Sequence, residues 1–234
     1  MIKFNKCLPG RIKALPVINS DNFVSDAVSI IKSSISESNE SQFRMSLCGG
    51  GTPRAIYQAL AKEELLWENM EVTFSDERCV PPDHEESNYK MAADALLSKV
   101  PIKESNVIRI KGELDPVEAA HQCELALRKR ALGEVYQHDL MLLGMGEDGH
   151  TASLFPQTNA LNEKERWVID NYVPEKGVNR VTFSFPLINA SRKILVLATG
   201  ETKKKLVSDM LNGDNTLPIS KIAPDIGDVT WLLG

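Results

Sequence analysis

The chain has 234 residues, with 27 basic and 32 acidic side chains, so its formal net charge is -5 at pH 7. A chain of this length can bury a substantial core without disulfides or metals. The near balance of charge gives no general attraction for nucleic acid. We therefore predict no nucleic-acid partner and expect any anionic ligand to be held by a local pocket.

The cysteines and the N-terminal segment indicate the compartment. Cys7, Cys48, Cys79 and Cys123 have no C-x-x-C spacing, which argues against a zinc knuckle or a disulfide framework and predicts reduced thiols. The opening segment MIKFNKCLPGRIK has no continuous apolar stretch typical of a signal peptide. No apolar run of about 18 residues occurs that could span a bilayer. We therefore expect a cytoplasmic protein with no membrane partner.

Apolar periodicity predicts alternating helices and strands. In chain order these are a helix over residues 21–34, a strand over 43–48, a helix over 53–67, a strand over 72–75, helices over 88–99 and 116–131, and strands over 139–144 and 194–199. No repeat, low-complexity tract or linker divides the chain, so we predict a single domain over residues 1–234. The alternation predicts an α/β fold with a mostly parallel sheet covered by helices on both faces.

Polar or glycine-rich segments follow the four predicted strands. They are residues 49–52, 76–78, 146–150 and 200–203. Ligands of open α/β sheets bind outside the carboxyl ends of the strands. If these strands are neighbours in the sheet, the four segments converge on one crevice.

The segment CGGGTPRA has the composition of a phosphate-binding turn. Gly50 and Gly51 let backbone N–H groups approach a ligand, and Thr52 offers a hydroxyl. Pro53 is predicted to be the first residue of a helix, whose N-terminus attracts anions. No Lys-Ser or Lys-Thr follows at the spacing of a nucleotide-triphosphate loop. A glycine-rich turn without a ligand is the alternative.

A dianionic phosphate on this turn also needs cationic partners. Arg180 and Lys203 are the candidates, and most neighbouring lysines are interpreted as solvated helix face. Lys203 stands out because it lies in the first turn after a predicted strand end.

The stretch LGMGEDGHTASLFP fits two kinds of site. Its glycines match the G-x-G-x-x-G pattern of a dinucleotide-binding turn, but Glu147 and Asp148 would repel a diphosphate, and Pro156 limits any following helix to about two turns. His150 suits proton transfer better, because an imidazole titrates near neutral pH and Asp148 is placed to orient it. A structural role is the interpretation for the remaining histidines, His84, His121 and His138.

The segment FSDERCVPPDHEESNY adds charged groups just past a strand. Arg78 can stabilise an oxyanion or hold an anionic substrate, while Asp76 and Glu77 can position hydroxyl groups or share in proton transfer. A surface salt-bridge cluster is the alternative. A metal site with His150 and a nucleophilic thiol at Cys79 are further alternatives. No H-x-x-x-H spacing supports the metal site, and the thiol would be activated only if a histidine reached it in space. A serine nucleophile has no support either, because no G-x-S-x-G elbow occurs.

Four segments, CGGGTP, SDERCVPPDHEESNY, LGMGEDGHTASLFP and GETKK, occur in the order and approximate spacing of the 6-phosphogluconolactonases, which are related to the glucosamine-6-phosphate deaminases. The chain resembles this family over nearly its whole length. The resemblance implies a Rossmann-like α/β fold and a monomer. It also implies hydrolysis of a small sugar-phosphate lactone, 6-phospho-D-glucono-1,5-lactone, to 6-phosphogluconate without a metal or an organic cofactor.

The resemblance further implies a role for each candidate residue. His150 is expected to be the general base that activates water, and Arg78 to stabilise the tetrahedral oxyanion or place the substrate. Asp76 and Asp148 are expected to orient the substrate hydroxyls or the base. The expected substrate-binding residues are Gly50, Gly51, Thr52, Arg180 and Lys203.

Two other functions stay open. The deaminases share the phosphate turn, the strand-end acid and the Asp-Gly-His element, but continue with a block resembling Ile-Ala-Phe-Asn-Glu-Pro, whose glutamate assists the histidine. Here the run over residues 151–156 has no glutamate before its proline, which favours the lactonase. A sugar-phosphate sensor is the second alternative. Such proteins carry a separate DNA-binding helix-turn-helix and have no need of acid/base residues.

Overall fold

The computed structural model of the chain describes residues 16–224 and 226–234, so the prediction for Cys7 lies outside the described residues. The strands are β1 (Val17–Asn19), β2 (Phe43–Leu47), β3 (Met70–Phe74), β4 (Asp76–Arg78), β5 (Val107–Ile108), β6 (Leu140–Gly144), β7 (Val168–Val173), β8 (Val178–Phe183), β9 (Lys193–Ala198) and β10 (Asp228–Leu233). The α-helices are α1 (Phe23–Ser36), α2 (Gly51–Leu60), α3 (Asn88–Ala95), α4 (Pro116–Arg128), α5 (Phe185–Asn189) and α6 (Glu201–Leu211). None of the helices in this part of the chain combines the length and apolar character needed to cross a membrane.

The main sheet has the strand order β1-β10-β9-β6-β2-β3-β5, and every neighbouring pair is parallel. All residues of β2 and β3 are buried, as expected of strands covered on both faces. Alternate residues of β6 enter two separate cores. Leu142 packs in the core that contains α1, α2 and α3, whereas Leu143 packs in the core that contains α4 and α6. The predicted α/β fold with helices on both faces is therefore confirmed.

The direction in which the chain winds through the sheet changes between β2 and β6. From β2 the chain continues to β3 and β5 on one side, whereas β6 leads to β9 and β10 on the other. At such a point the connections leave the two strands in opposite directions and a crevice opens at their carboxyl ends. The ends of β2 and β6, at Leu47 and Gly144, are therefore where a ligand site is expected.

A second sheet, with the order β4-β8-β7 and antiparallel pairing, was not predicted. Residues 76–78 were expected to form a loop past a strand, but they form β4 and pair with β8. The partner strand lies about 100 residues later in the chain, so local sequence gives no sign of this pairing. Asp76 and Arg78 therefore lie on a strand, where their backbone is fixed by the pairing with β8.

The helix predicted over 53–67 is shorter than expected. It begins two residues earlier and ends at Leu60, so Pro53 is its third residue and not its first. Its buried face includes Ile56 and Leu60. The next residue on that face is Glu63, which is charged, so the apolar burial that stabilises the helix ends at Leu60. The other three predicted helices are confirmed as α1, α3 and α4, with ends that differ by a few residues.

Candidate active site

An open cavity of about 290 Å³ lies at the carboxyl ends of β2 and β6. Its walls are formed by the turn between β2 and α2, by β4, by the loop that follows β6 and by the first turn of α6. The predicted site residues that line it are Gly50, Gly51, Thr52, Asp76, Arg78, His150 and Lys203. The structure thus brings together residues from all four segments that follow the predicted strands.

A wider groove of about 570 Å³ lies at the opposite end of the main sheet, where β2, β6 and β9 begin. Most of its charged side chains are paired. Arg192 Nη1 lies 3.1 Å from Asp139 Oδ1, and Arg44 Nε lies 3.6 Å from Oε1 of the adjacent Glu71. Because most of these charges are already compensated and no predicted site residue lines the groove, we place the candidate site in the smaller cavity.

Two helix N-termini meet at one end of the cavity. Gly50 precedes α2 with a φ of 111°, and Gly200 precedes α6 with a φ of 95°, values that residues with a side chain rarely adopt. The hydroxyl oxygens of Thr52 and Thr199 lie 3.2 Å apart and connect the two turns. The first turn of a helix exposes backbone N–H groups and a positive potential, so this end of the cavity suits a phosphate.

Lys203 adds a cation beside these turns. It lies in the first turn of α6 and lines the cavity. Within residues 16–224 and 226–234 it forms no salt bridge, whereas Lys204 pairs with Glu201 at 3.1 Å and Lys205 pairs with Asp209 at 2.5 Å. A cation near a helix N-terminus is unfavourable unless an anion compensates it. The position of Lys203 therefore indicates an anionic ligand.

His150 is held by Asp148 through a hydrogen bond of 2.5 Å between imidazole Nδ1 and carboxylate Oδ1. The same oxygen accepts the backbone N–H of His150 at 3.1 Å. Burial acts to raise the pKa of Asp148, but the hydrogen bonds from His150 outweigh it and hold that pKa below its usual value. Because the carboxylate only accepts, Nδ1 carries the proton of the neutral imidazole and Nε2 keeps a lone pair. Nε2 is the base that this side chain offers to a ligand.

Glycines give the Asp148–His150 pair its space. Gly149 has a φ of 75°, and its N–H donates to the carbonyl of Gly146 at 3.1 Å, which closes a tight turn. A Cβ on Gly146 would lie 2.1 Å from His150 Nδ1 and 2.6 Å from Asp148 Oδ1. Residues 151–158 then form turns and an isolated bridge but no helix. The loop lacks the helix N-terminus that a dinucleotide site requires, so that alternative is excluded.

Asp76 is a carboxylate in the cavity wall with only 7% of its surface exposed. Its Oδ2 accepts the hydroxyl of Ser153 at 2.7 Å, and its Oδ1 accepts the hydroxyl of Ser75 at 3.2 Å. The amide of Asn88 donates to Oδ1 at 3.3 Å and to the Asp76 carbonyl at 3.0 Å. These donors fix the orientation of the carboxylate, which makes it suitable for holding a ligand hydroxyl.

Arg78 and Arg180 lie opposite each other on β4 and β8. Arg78 lines the cavity, and its Nη1 donates to the carbonyl of Glu86. Arg180 is partly buried, and burial together with the charge of Arg78 lowers the pKa of Arg180. Arg180 nevertheless stays charged because arginine does not lose its proton in proteins. The two guanidinium groups give this wall a positive potential suited to an anionic ligand or a developing oxyanion.

The chain matches the family described as glucosamine-6-phosphate isomerases/6-phosphogluconolactonase over residues 19–231. It belongs to this family. It is 38% identical over 208 residues to a probable chloroplastic 6-phosphogluconolactonase 3 of Oryza sativa subsp. indica, an alignment that covers 81% of this chain and 63% of the rice protein. The chain thus spans less than two thirds of that relative's length.

A second relative and a solved structure cover more of their own chains. The 6-phosphogluconolactonase of Nostoc sp. is 35% identical over 201 residues, which are 83% of this chain and 82% of the Nostoc protein. The crystal structure of a 6-phosphogluconolactonase from Thermotoga maritima is 28% identical, with a TM-score of 0.85, and the match covers 93% of this chain and 98% of that one. The fold expected from the resemblance is therefore confirmed.

Two predicted site residues do not line the cavity in this family member. Asp148 is hydrogen-bonded to the cavity residue His150, and Arg180 is the partner of Arg78 on the neighbouring strand. The role of Asp148 is consistent with orienting the base. Direct binding of substrate by Arg180 stays a prediction.

Asn88 is a cavity residue that the sequence interpretation did not single out. A Cβ on Gly49 would lie 1.9 Å from Asn88 Oδ1, so the first glycine of the triplet makes room for this amide. The signal that could have found Asn88 is the SNY triplet, in which Ser87 is the N-cap of α3 and accepts the N–H of Lys90 at 3.1 Å. That cap places Asn88 in the first turn of α3, facing Asp76.

Glu77 has a structural role and does not line the cavity. Its carboxylate accepts the backbone N–H groups of Asn88 and Tyr89 at 2.7 and 2.8 Å and the hydroxyl of Ser87 at 3.0 Å. Burial raises the pKa of Glu77, and the backbone hydrogen bonds oppose that shift. The glutamate therefore fastens the start of α3 to β4.

The described residues support neither a nucleophilic cysteine nor a metal site. Burial raises the pKa of the Cys79 thiol, and the nearby charge of Arg180 opposes this shift only in part. Burial also raises the pKa of Cys48, in the cavity wall, to about 12. Such thiols stay protonated at neutral pH, so neither is an activated nucleophile. In the part of the chain that the structure describes, no three His, Cys, Asp or Glu side chains are grouped to hold a metal ion.

Proposed function

We propose that the protein hydrolyses 6-phospho-D-glucono-1,5-lactone to 6-phospho-D-gluconate. The observation that carries this proposal is the Asp148–His150 pair at a cavity that also holds two helix N-termini and the unpaired Lys203. A general base beside an anion site is what hydrolysis of a phosphorylated lactone needs. The names of the rice, Nostoc and Thermotoga proteins support the same reaction.

In the proposed reaction, the substrate phosphate binds at residues 50–52 and Lys203, and the lactone carbonyl faces His150. Nε2 of His150 removes a proton from water, and the water oxygen forms a bond to the carbonyl carbon. Asp148 keeps its hydrogen bond to Nδ1 and stabilises the imidazolium that forms. No metal or organic cofactor enters this scheme.

The attack turns the carbonyl oxygen into an oxyanion, for which Arg78 is the guanidinium in the cavity wall. Collapse of the tetrahedral intermediate breaks the bond between the carbonyl carbon and the ring oxygen. The ring oxygen takes the proton from the His150 imidazolium, which restores the neutral base and leaves the open-chain acid, which ionises. We assign to Asp76 the orientation of a sugar hydroxyl and propose Arg180 as an additional source of positive potential.

The isomerase branch of the family is the alternative function. The residue before Pro156 is Phe155, whose ring stacks on His150 at 4.0 Å, so an aromatic ring contacts the histidine where the deaminase block carries a glutamate. This supports the lactonase over deamination. The monomeric state, the cytoplasmic location and the lack of a nucleic-acid partner stay predictions from the sequence.

The test is the rate of lactone loss with and without the imidazole. The lactone is generated from glucose 6-phosphate in the assay, and spontaneous hydrolysis is subtracted. His150→Ala is expected to lower kcat by about 100-fold or more with little change in KM, because the base acts in the transition state. His121→Ala is the matched control, since His121 is an exposed histidine on α4.

Three other outcomes would contradict the proposed mechanism or the proposed function. Unchanged kcat in His150→Ala would remove His150 from the mechanism. Release of ammonia and fructose 6-phosphate from glucosamine 6-phosphate, without faster lactone loss, would assign the protein to the isomerase branch. Binding of sugar phosphates without turnover of either substrate would indicate a sensor.

A further inference from the structure

The imidazole of His150 is stacked on the ring of Phe155. The ring centres are 4.0 Å apart, and the ring planes differ by 24°. Phe155 is only 5% exposed and is not among the residues that line the cavity. It therefore contacts the imidazole from the protein interior and not from the cavity.

The hydrogen bond to Asp148 leaves the imidazole incompletely fixed. It restrains Nδ1, but the ring can still tilt about that contact, since the outer torsion of a histidine side chain has a broad energy minimum. A tilt displaces Nε2, the atom that accepts the proton, and a misplacement of about 1 Å in an active site can cost about 100-fold in rate. A flat ring against the face of the imidazole opposes this tilt.

Phe155 is itself held by contacts that do not involve a ligand. Its carbonyl accepts the hydroxyl of Thr158 at 2.8 Å and the N–H of the same residue at 3.4 Å. The ammonium of Lys176, in the turn between β7 and β8, lies over the Phe155 ring at 4.9 Å from its centre. The stacking surface for His150 is therefore in place before substrate binds.

We propose that Phe155 is a positioning residue: its ring, together with Asp148, holds the His150 imidazole in the one orientation that presents Nε2 to the cavity. The effect on catalysis rests on the function proposed above. The effect on the imidazole itself does not, because it concerns the resting protein.

The kinetic test is Phe155→Leu, which keeps an apolar side chain but removes the flat ring. We expect kcat for lactone hydrolysis to fall by about tenfold while KM changes by less than about twofold, since the phosphate site is untouched. Phe43→Leu is the matched control. Phe43 is also 5% exposed, but it begins β2 at the opposite end of the main sheet. Both variants are expected to lose similar thermal stability, and only Phe155→Leu to lose kcat.

The second readout is NMR of histidine labelled with ¹⁵N at alkaline pH, where long-range correlations report which ring nitrogen carries the proton. The chain has four histidines, and the spectrum of His150→Ala assigns the signal of interest. In the wild type we expect His150 to be protonated at Nδ1 alone. In Phe155→Leu we expect its two nitrogen shifts to move towards each other as the ring samples further orientations.

The two proposals can fail separately. A wild-type protein that does not hydrolyse the lactone would overturn the proposed function, and the NMR comparison would still decide whether Phe155 orients His150. A kcat of Phe155→Leu equal to that of Phe43→Leu, with the His150 nitrogen shifts of the wild type, would overturn the role of Phe155. A fall in kcat matched by Phe43→Leu would do the same, because it would reflect stability alone.

Discussion

Replacing Gly146 by alanine should displace His150, the proposed general base, without disrupting the fold. A Cβ at this position would meet the His150 Nδ1 atom at 2.1 Å and the Asp148 Oδ1 atom at 2.6 Å. Both are outer atoms of side chains, which can move away more easily than backbone. The substitution therefore acts on the Asp148–His150 pair before it acts on β6 or the core.

The size of the effect follows from the overlap. To regain an ordinary contact of 3.4 Å, the imidazole must retreat by about 1.3 Å from its present position. Since a displacement of about 1 Å can cost about 100-fold in rate, we expect Gly146→Ala to lower kcat by about 100-fold. The cost in stability should stay within about 1–3 kcal/mol, the range for one extra methyl group in a packed site.

The assay is lactone loss at saturating substrate, with thermal unfolding measured on the same samples. Gly133→Ala is the control, because a Cβ on Gly133 has no neighbour within 4 Å and tests the general effect of the substitution. A Gly146→Ala protein that keeps kcat within about threefold of the wild type would refute the reasoning, as it would mean that the position of the imidazole does not limit the rate.

Two further predictions concern charges around the cavity. Lys203→Ala should raise KM by about tenfold with a smaller change in kcat, because the phosphate loses a counter-charge. Lys205→Ala, which removes a lysine already paired with Asp209, should leave KM unchanged in the same titration. The lowered pKa of Asp148 means that its ionised carboxylate contributes to the free energy of unfolding. Asp148→Asn should lose this contribution. This contribution is present above the ordinary carboxyl pKa of 3.8 and is lost as the pH falls through the lower folded-state value, so thermal unfolding of the two proteins should converge below about pH 3.8. A difference in melting temperature between the wild type and Asp148→Asn that persists at lower pH would contradict this prediction.

The four central strands of the main sheet, β2, β3, β6 and β9, and the four segments that follow them could be predicted because each has a local signal. Strands buried on both faces appear as short apolar runs, and parallel strands place whatever follows them at a common edge. Residues 49–52 and 146–150 therefore point to one crevice even without knowledge of the strand pairing. The helix predicted over 53–67 is too long, because residues that favour helix continue past Leu60 whereas the buried face of the helix ends there.

The contacts that hold the site residues in place could not be predicted in the same way. The hydroxyl that holds the Asp76 carboxylate comes from Ser153, which is 77 residues away in the chain. The strand that pairs with β4 is more than 100 residues away, and neither contact leaves a periodic pattern in the sequence. Polar side chains such as Asn88 look like surface residues until the partners that bury them are known.

The glycines show why the same local pattern can point to different chemistry. A glycine without a positive φ can make room for a group that comes close to the backbone, but the pattern does not say whether such a group exists or which group it is. At Gly146 the close group is the imidazole of His150, and at Gly49 it is the amide of Asn88. Both groups belong to the protein itself, so these glycines make room for side chains of the candidate site and not for a dinucleotide. Asp148, whose charge argues against a diphosphate, fits this arrangement, because its carboxylate accepts a hydrogen bond from the imidazole and fixes the proton on Nδ1.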